Sequence, residues 1–161
     1  MEAVVEDARW NDVQIASLAD RAVKAALAAA GLEPSGYAVA LLACDDDRIA
    51  SLNTEFRHVE GATNVLSWPA FRLSAATPGG LPSPPPQCGP QVGLGDIAIA
   101  YDTCLREAGE RSVPLADHAF HLIVHGCLHL LGYDHAQDAD ATVMETLEVI
   151  ALATEGIPNP Y

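Results

Sequence analysis

The chain has 161 residues, half of them hydrophobic, which suffices for one core but not for two ordinary domains, so we expect a single domain over 1–161. No apolar run reaches membrane-spanning length, and the first residues lack the basic and apolar regions of a signal peptide, so we expect a cytoplasmic protein with no membrane partner. Eight basic and twenty-two acidic residues give a net charge of −14, which argues against tight, autonomous binding to nucleic acid.

Hydrophobic periodicity and capping residues predict alternating strands and helices. In chain order these are a strand at 3–6, a helix from Asn11 or Asp12 to Gly31, a buried strand at 37–44 and a helix from the caps at 45–47 to Arg57. There follow strands at 65–68 and 94–100, a short helix at 101–109, a helix from Pro114 to about Leu131 and a last helix at 138–154. The last helix carries Val143, Leu147, Ile150 and Ala151 on one side, which predicts packing over the sheet, with its acids on the other side. The pattern predicts an α+β domain with a small mixed sheet and about four to five helices.

A stretch rich in Pro, Gly and Ser, at about residues 70–92, separates the third and fourth predicted strands. Such a composition buries too little apolar surface to order itself, so we expect a mobile loop. It is either a tolerated insertion or, through its three consecutive prolines, a ligand for the aromatic groove of a partner.

Three histidines near the C-terminus form the most informative pattern. His125 and His129 are four residues apart, so on a helix both imidazoles project from one face and can bind one ion. Gly132 can end the helix in the left-handed conformation, which turns His135 back toward the same point. His121 lies eight residues before His129, about 12 Å of helix rise, which is too far for it to share that ion.

Three histidines without a fourth protein ligand are typical of catalytic zinc, although nickel or another divalent metal accepts the same donors. The site therefore indicates hydrolysis on a zincin-like metal-binding helix. Gly126 occupies the position of the glutamate general base in H-E-x-x-H peptidases, which disfavours peptide hydrolysis. Asp134 either acts as a base, holds a ligand imidazole, or bonds to local backbone in the turn.

Four segments together resemble the YbeY family of bacterial metal-dependent endoribonucleases, which act in rRNA maturation and ribosome quality control. The string from His121 to His135 is similar to the family signature. Upstream, in the family's order, lie L-N-T-E-F-R at 52–57, T-N-V-L-S-W-P at 63–69 and L-G-D-I at 94–97. Asn64 stands where the family usually has Asp, and Trp68 stands where it usually has Phe. An insert follows the segment at 63–69. The resemblance makes this insert a candidate flap over the substrate.

The resemblance also implies roles outside the histidine triad. It assigns Arg57 to the active-site cleft, where a guanidinium can bind phosphate and stabilise developing charge. Asn64 lacks a charge but keeps an oxygen acceptor, which favours positioning over acid or base chemistry. His121, one turn before the first ligand, either contacts substrate phosphate or fills the pocket wall. His118 is expected at the rim or on the surface. We expect Asn64, Ser67 and His121 to bind substrate or to support the ligands.

The implied function is a single-strand-specific, metal-dependent endoribonuclease in 16S rRNA 3′-end maturation. Its catalytic residues are His125, His129 and Arg57, with His135 as the third metal ligand, and attack by water or by the ribose 2′-hydroxyl both stay open. Expected partners are single-stranded rRNA and the ribosome or its associated proteins, with no DNA. Two rivals are a non-enzymatic ribosome-assembly factor with a structural metal, favoured by the acidic composition, and a zinc peptidase.

Overall fold

A four-stranded mixed sheet organises the molecule. The computed structural model describes residues 1 to 161, and its strands are β1 (Glu2–Val5), β2 (Tyr37–Cys44), β3 (Val65–Pro69) and β4 (Val92–Ala100). Their order across the sheet is β1-β2-β4-β3. β1, β2 and β4 run parallel, while β3 pairs antiparallel with β4 along one edge.

Five α-helices surround this sheet: α1 (Ile15–Ala29), α2 (Asp46–Arg57), α3 (Tyr101–Arg111), α4 (Leu115–Leu130) and α5 (Asp138–Ala153). The main core lies between one face of the sheet and helices α1 and α4, with α5 packed against both helices. A smaller cluster that includes Ile49 and Leu52 of α2 covers part of the opposite face. The predicted α+β class is confirmed, and most boundaries agree with the predicted ones within two residues.

Helix α4 is the central element and carries two of the three histidines of interest. It is buried on nearly all sides, as expected for a helix whose apolar residues surround its axis. A Cβ added at Gly126 would lie 3.3 Å from Cδ1 of Ile97 on β4. Gly126, which stands where H-E-x-x-H peptidases have their glutamate, therefore also lets this helix lie close against the sheet.

A bulge in β4 decides which side chains face that helix. Gly95 has φ +136°, and the pairing of β4 with β2 shifts register beside it. Leu94 and Ile97, three positions apart, consequently both enter the main core. Regular strand alternation would have sent them to opposite faces.

Two expectations were wrong in detail. The first helix is not capped by Asn11 or Asp12, because Asp7 caps a short 3₁₀ helix over Ala8–Val13 and α1 begins only after that helix. The predicted apolar side of α5 was wrong at Ile150, which is half exposed, whereas Ala151 is buried and Leu147 packs against the core. The buried positions of this helix are Met144, Glu148, Ala151 and Leu152, and they face α1 and α4 rather than the sheet.

The Pro-rich segment between β3 and β4 has no regular secondary structure over 70–91, but burial and hydrogen bonds hold several of its residues in place. Leu73 is buried, and its carbonyl oxygen accepts a hydrogen bond from the Ser83 amide. The Gly79 amide donates to the Asp140 carboxylate in the first turn of α5 at 2.8 Å. Mobility of the rest of the segment stays a prediction. Among the helices, none combines the length and apolar character that crossing a membrane requires.

Candidate metal centre

The three predicted ligand histidines converge in space. One ring nitrogen from each of His125, His129 and His135 lies within 4.8 Å of the others. The Nε2 atoms of His125 and His129, one turn apart on α4, are 3.0 Å apart. Two nitrogens on one tetrahedral zinc ion are separated by about 3.3 Å, so this spacing is close to that of a ligand pair.

The hydrogen bonds on the far side of each ring show that the donor set fits a metal cation. Nδ1 of His129 faces the carbonyl oxygen of Tyr133 at 3.0 Å, and Nδ1 of His125 faces the Glu148 carboxylate at 3.2 Å. Both partners only accept, so each Nδ1 carries the proton and each Nε2 has a lone pair. Two lone pairs then face each other, an arrangement that a cation between them stabilises.

The charge state of His129 favours the same role. Burial, together with the neighbouring His125 and His135 rings, lowers the pKa of His129 to about 4. The imidazole is therefore neutral at physiological pH, which is the form that binds a metal ion.

The turn that brings His135 back is a Schellman motif. The Gly132 amide donates to the His129 carbonyl oxygen, and the Tyr133 amide donates to the Leu128 carbonyl oxygen, both at 3.0 Å. Gly132 has φ +98°, and a Cβ there would lie 2.7 Å from the backbone carbon of Leu73. Only glycine allows both the left-handed conformation and the close approach of the Leu73 backbone. A glycine at this position is therefore required both by the turn and by the loop packed against it.

A buried glutamate, missed in the sequence, connects several residues around the triad. Glu148 on α5 is 1% exposed, and one of its oxygens accepts from His121 at 2.7 Å and from His125 at 3.2 Å. Its other oxygen accepts from the Tyr161 hydroxyl at 2.9 Å. Burial alone would raise the pKa of Glu148, but the hydrogen bonds from the two histidines outweigh it and lower the pKa to about 2. An acid at an otherwise apolar position of α5 was the available sequence signal.

Three other residues have surroundings that bear on their proposed roles. His121 directs Nε2 at Glu148, which supports a role in holding that carboxylate rather than substrate phosphate. His118, expected at the rim, is 4% exposed, so that expectation was wrong. The Asp134 carboxylate accepts a hydrogen bond from the backbone amide of His135 at 2.7 Å. Of the three roles considered for Asp134, this contact supports the bond to local backbone in the turn.

A second polar cluster forms around Glu107 on α3. The Asn64 side-chain amide donates to the Glu107 carboxylate at 3.0 Å, and Nε2 of His118 lies 2.9 Å from the same carboxylate. The Asn64 oxygen accepts from the Val65 amide at 2.7 Å. An aspartate in place of Asn64 would set two carboxylates against each other, which gives a physical reason for the departure from the family pattern.

These groups line one cleft of about 380 Å³. Of the eight site residues singled out in the sequence, seven line it: Arg57, Asn64, Ser67, His121, His125, His129 and His135. Asp134 does not. Arg57, the last residue of α2, donates one guanidinium N–H to the Ser67 carbonyl oxygen, which anchors the side chain at the cleft wall. A guanidinium has five N–H donors, so others remain for an anionic ligand.

An α+β scaffold that brings three imidazoles and one arginine into a single cleft has the features of a metallohydrolase site. Within that class, the family model described as "Endoribonuclease YbeY" matches residues 3–155. The chain therefore belongs to the YbeY family, and the resemblance inferred from its motifs is confirmed.

Individual relatives agree with this assignment. The chain is 55% identical to the Endoribonuclease YbeY of Ruegeria pomeroyi, an alignment that covers all of this chain and 97% of that protein. It is 54% identical to the Endoribonuclease YbeY of Dinoroseobacter shibae, covering all of this chain and 90% of the relative. A solution structure of a Thermotoga maritima protein matches with a TM-score of 0.57 at 17% identity, over 96% of this chain and 91% of that one, which shows a shared fold.

Proposed function

We propose that this protein is a metal-dependent endoribonuclease that cuts single-stranded RNA during 16S rRNA 3′-end maturation and ribosome quality control. The observation that carries the proposal is the convergence of three histidines beside Arg57 in a chain of the YbeY family. A cleft of about 380 Å³ has the size of a small-ligand site, so it suits one splayed nucleotide rather than a duplex.

In this proposal His125, His129 and His135 hold a divalent metal, with zinc as the first candidate. A metal ion in such a site supplies Lewis-acid chemistry at a phosphodiester and lowers the pKa of water. Glu148 and the Tyr133 carbonyl oxygen fix the tautomers of two ligands, so that their Nε2 atoms face the cleft.

Arg57 has the second role, because it places a permanent positive charge in the same cleft. Its guanidinium binds the non-bridging oxygens of the scissile phosphate and stabilises the additional negative charge of the transition state. The Ser67 carbonyl oxygen accepts a hydrogen bond from one of the guanidinium N–H groups, so the side chain is already oriented and loses less conformational entropy when it binds phosphate.

The net charge of −14 bears on where the enzyme finds its substrate. Long-range attraction to RNA is absent, so recruitment through the ribosome or a ribosome-associated protein in the cytoplasm is part of the proposal. The local positive charges of Arg57 and the metal then act only at short range.

Incubation of zinc-loaded protein with a single-stranded 16S rRNA 3′ fragment tests the proposal, with the cut ends mapped by sequencing. We expect cleavage that Arg57→Ala and His129→Ala each reduce by at least about a hundredfold. Arg48→Ala is the matched control, since Arg48 is on the same helix but pairs with Glu6 outside the cleft. The chemistry of the ends separates the two routes, because a 2′,3′-cyclic phosphate marks attack by the ribose hydroxyl.

Uncut RNA with the fully zinc-loaded protein would count against the nuclease. Cutting that survives both substitutions would instead indicate a contaminating enzyme. A strand that is cut equally well when annealed to its complement would refute the preference for single strands.

A further inference from the structure

The arginines and lysines of this acidic chain are distributed unequally between ion pairs and the cleft. Five of the eight pair with carboxylates: Arg9, Arg21, Lys24, Arg48 and Arg106. Arg57, Arg72 and Arg111 form no ion pair. Two of these three, Arg57 and Arg111, line the cleft that holds the histidine triad.

Arg111 lacks an ion pair although a suitable carboxylate is close in sequence. Glu107 lies one turn earlier on α3, the spacing and order that favour a glutamate-to-arginine pair on a helix. Its carboxylate instead turns inward, where Asn64 and His118 occupy it. Asp117, which lines a cavity together with Arg111, forms no ion pair with it. The charge of Arg111 therefore remains available to an external anion.

The position of Arg111 shows where such an anion would lie. A second cavity of about 450 Å³ adjoins the cleft, and Arg111, His118 and His121 line both. This second cavity extends to the C-terminal segment at 157–160. Arg111 is thus at the junction of two cavities, the first of which holds the triad.

From this arrangement we infer that Arg111 binds the phosphate of the nucleotide next to the one that is cut. The strand then runs from the triad past Arg111 into the second cavity, where the carboxylate of Asp117 can accept a hydrogen bond from an amino group of a base. The inference rests on the proposed ribonuclease function, and it assigns a direction across the surface to the RNA. The ligand is a phosphodiester of a single strand, recognised by a guanidinium through charge and hydrogen bonding.

Binding of a fluorescent 2′-O-methyl single strand to the zinc-loaded protein tests this, with affinity measured by anisotropy over a salt series and a gel showing that the strand stays intact. We expect Arg111→Ala to weaken binding about tenfold and to reduce the slope of log affinity against log salt by roughly 0.7, the value for one phosphate contact on a single strand. Arg111→Lys should keep the slope while losing part of the affinity, because it retains the charge but not the fork.

Arg106→Ala is the control, since it removes the same charge from the same helix at an exposed residue that pairs with Glu110 outside both cavities. Equal losses in Arg106→Ala and Arg111→Ala would refute a specific contact and indicate only the overall field. Normal RNA cleavage by the parent with unchanged binding by Arg111→Ala would reject the Arg111 contact and leave the nuclease intact. A parent that neither binds this strand nor cleaves unmodified single-stranded RNA would reject both.

Discussion

Glu148→Gln is the change that most directly tests how the proposed metal site is built. One oxygen of the buried carboxylate accepts a hydrogen bond from Nδ1 of His125 at 3.2 Å and another from Nε2 of His121 at 2.7 Å. Glutamine has nearly the same shape and keeps one acceptor oxygen, but it removes the charge that makes His125 a better donor to a metal. Glu148→Ala would be less informative, because it leaves several buried donors unpaired and destabilises the fold itself.

The expected magnitude follows from the type of contact. Loss of a carboxylate behind a ligand histidine typically lowers metal affinity about 10- to 100-fold, or about 1.4 to 2.7 kcal/mol. The bond to His125 is the longer of the two and its acceptor oxygen is shared. We therefore expect a value nearer tenfold than a hundredfold.

Competition with a chromophoric chelator measures zinc affinity without relying on catalysis. Glu145→Gln on the same helix is the control, because Glu145 forms no hydrogen bond or ion pair. This variant should bind zinc like the parent. Thermal unfolding of the metal-free variants confirms that both are folded. Unchanged zinc affinity in Glu148→Gln, with the fold intact, would refute the role assigned to this carboxylate.

The remaining predictions concern stability. Gly132→Ala should lower the free energy of unfolding in urea by about 2 to 4 kcal/mol, because the new Cβ would both clash with the Leu73 backbone and strain the left-handed conformation. Gly156→Ala, at φ +69°, meets open space, so it suffers only the conformational strain and should cost about 1 kcal/mol. Removal of zinc with a chelator should lower Tm, because zinc at a hundred times its Kd adds about 2.7 kcal/mol to the free energy of unfolding; an unchanged Tm would argue against the site. Burial opposes ionisation of Glu107, but the hydrogen bonds from His118 and Asn64, together with the charges of His118 and Arg111, outweigh it and lower the pKa of Glu107 below 4.5. Glu107→Gln should therefore be less stable than the parent at pH 7, and a series of Tm values should show the difference shrinking as the pH falls below 4.5 through the folded-state pKa.

Local sequence patterns predicted the convergence of the three histidines. Four-residue spacing places His125 and His129 on one face of any helix, and a glycine at the helix end predicts the reversal that returns His135. Both signals depend only on backbone geometry within a few residues. The strand of residues 37–44 and the helix capped by Asp45 were predictable for the same reason, since their periodicity and capping are local.

Tertiary structure alone decided which polar side chains surround the triad. Glu148 meets His125, 23 positions away, only because α5 packs against α4. Glu107 is likewise separated by 43 positions from Asn64. Burial of a charged group is stable only where donors from distant elements arrive together, and no local periodicity encodes that meeting.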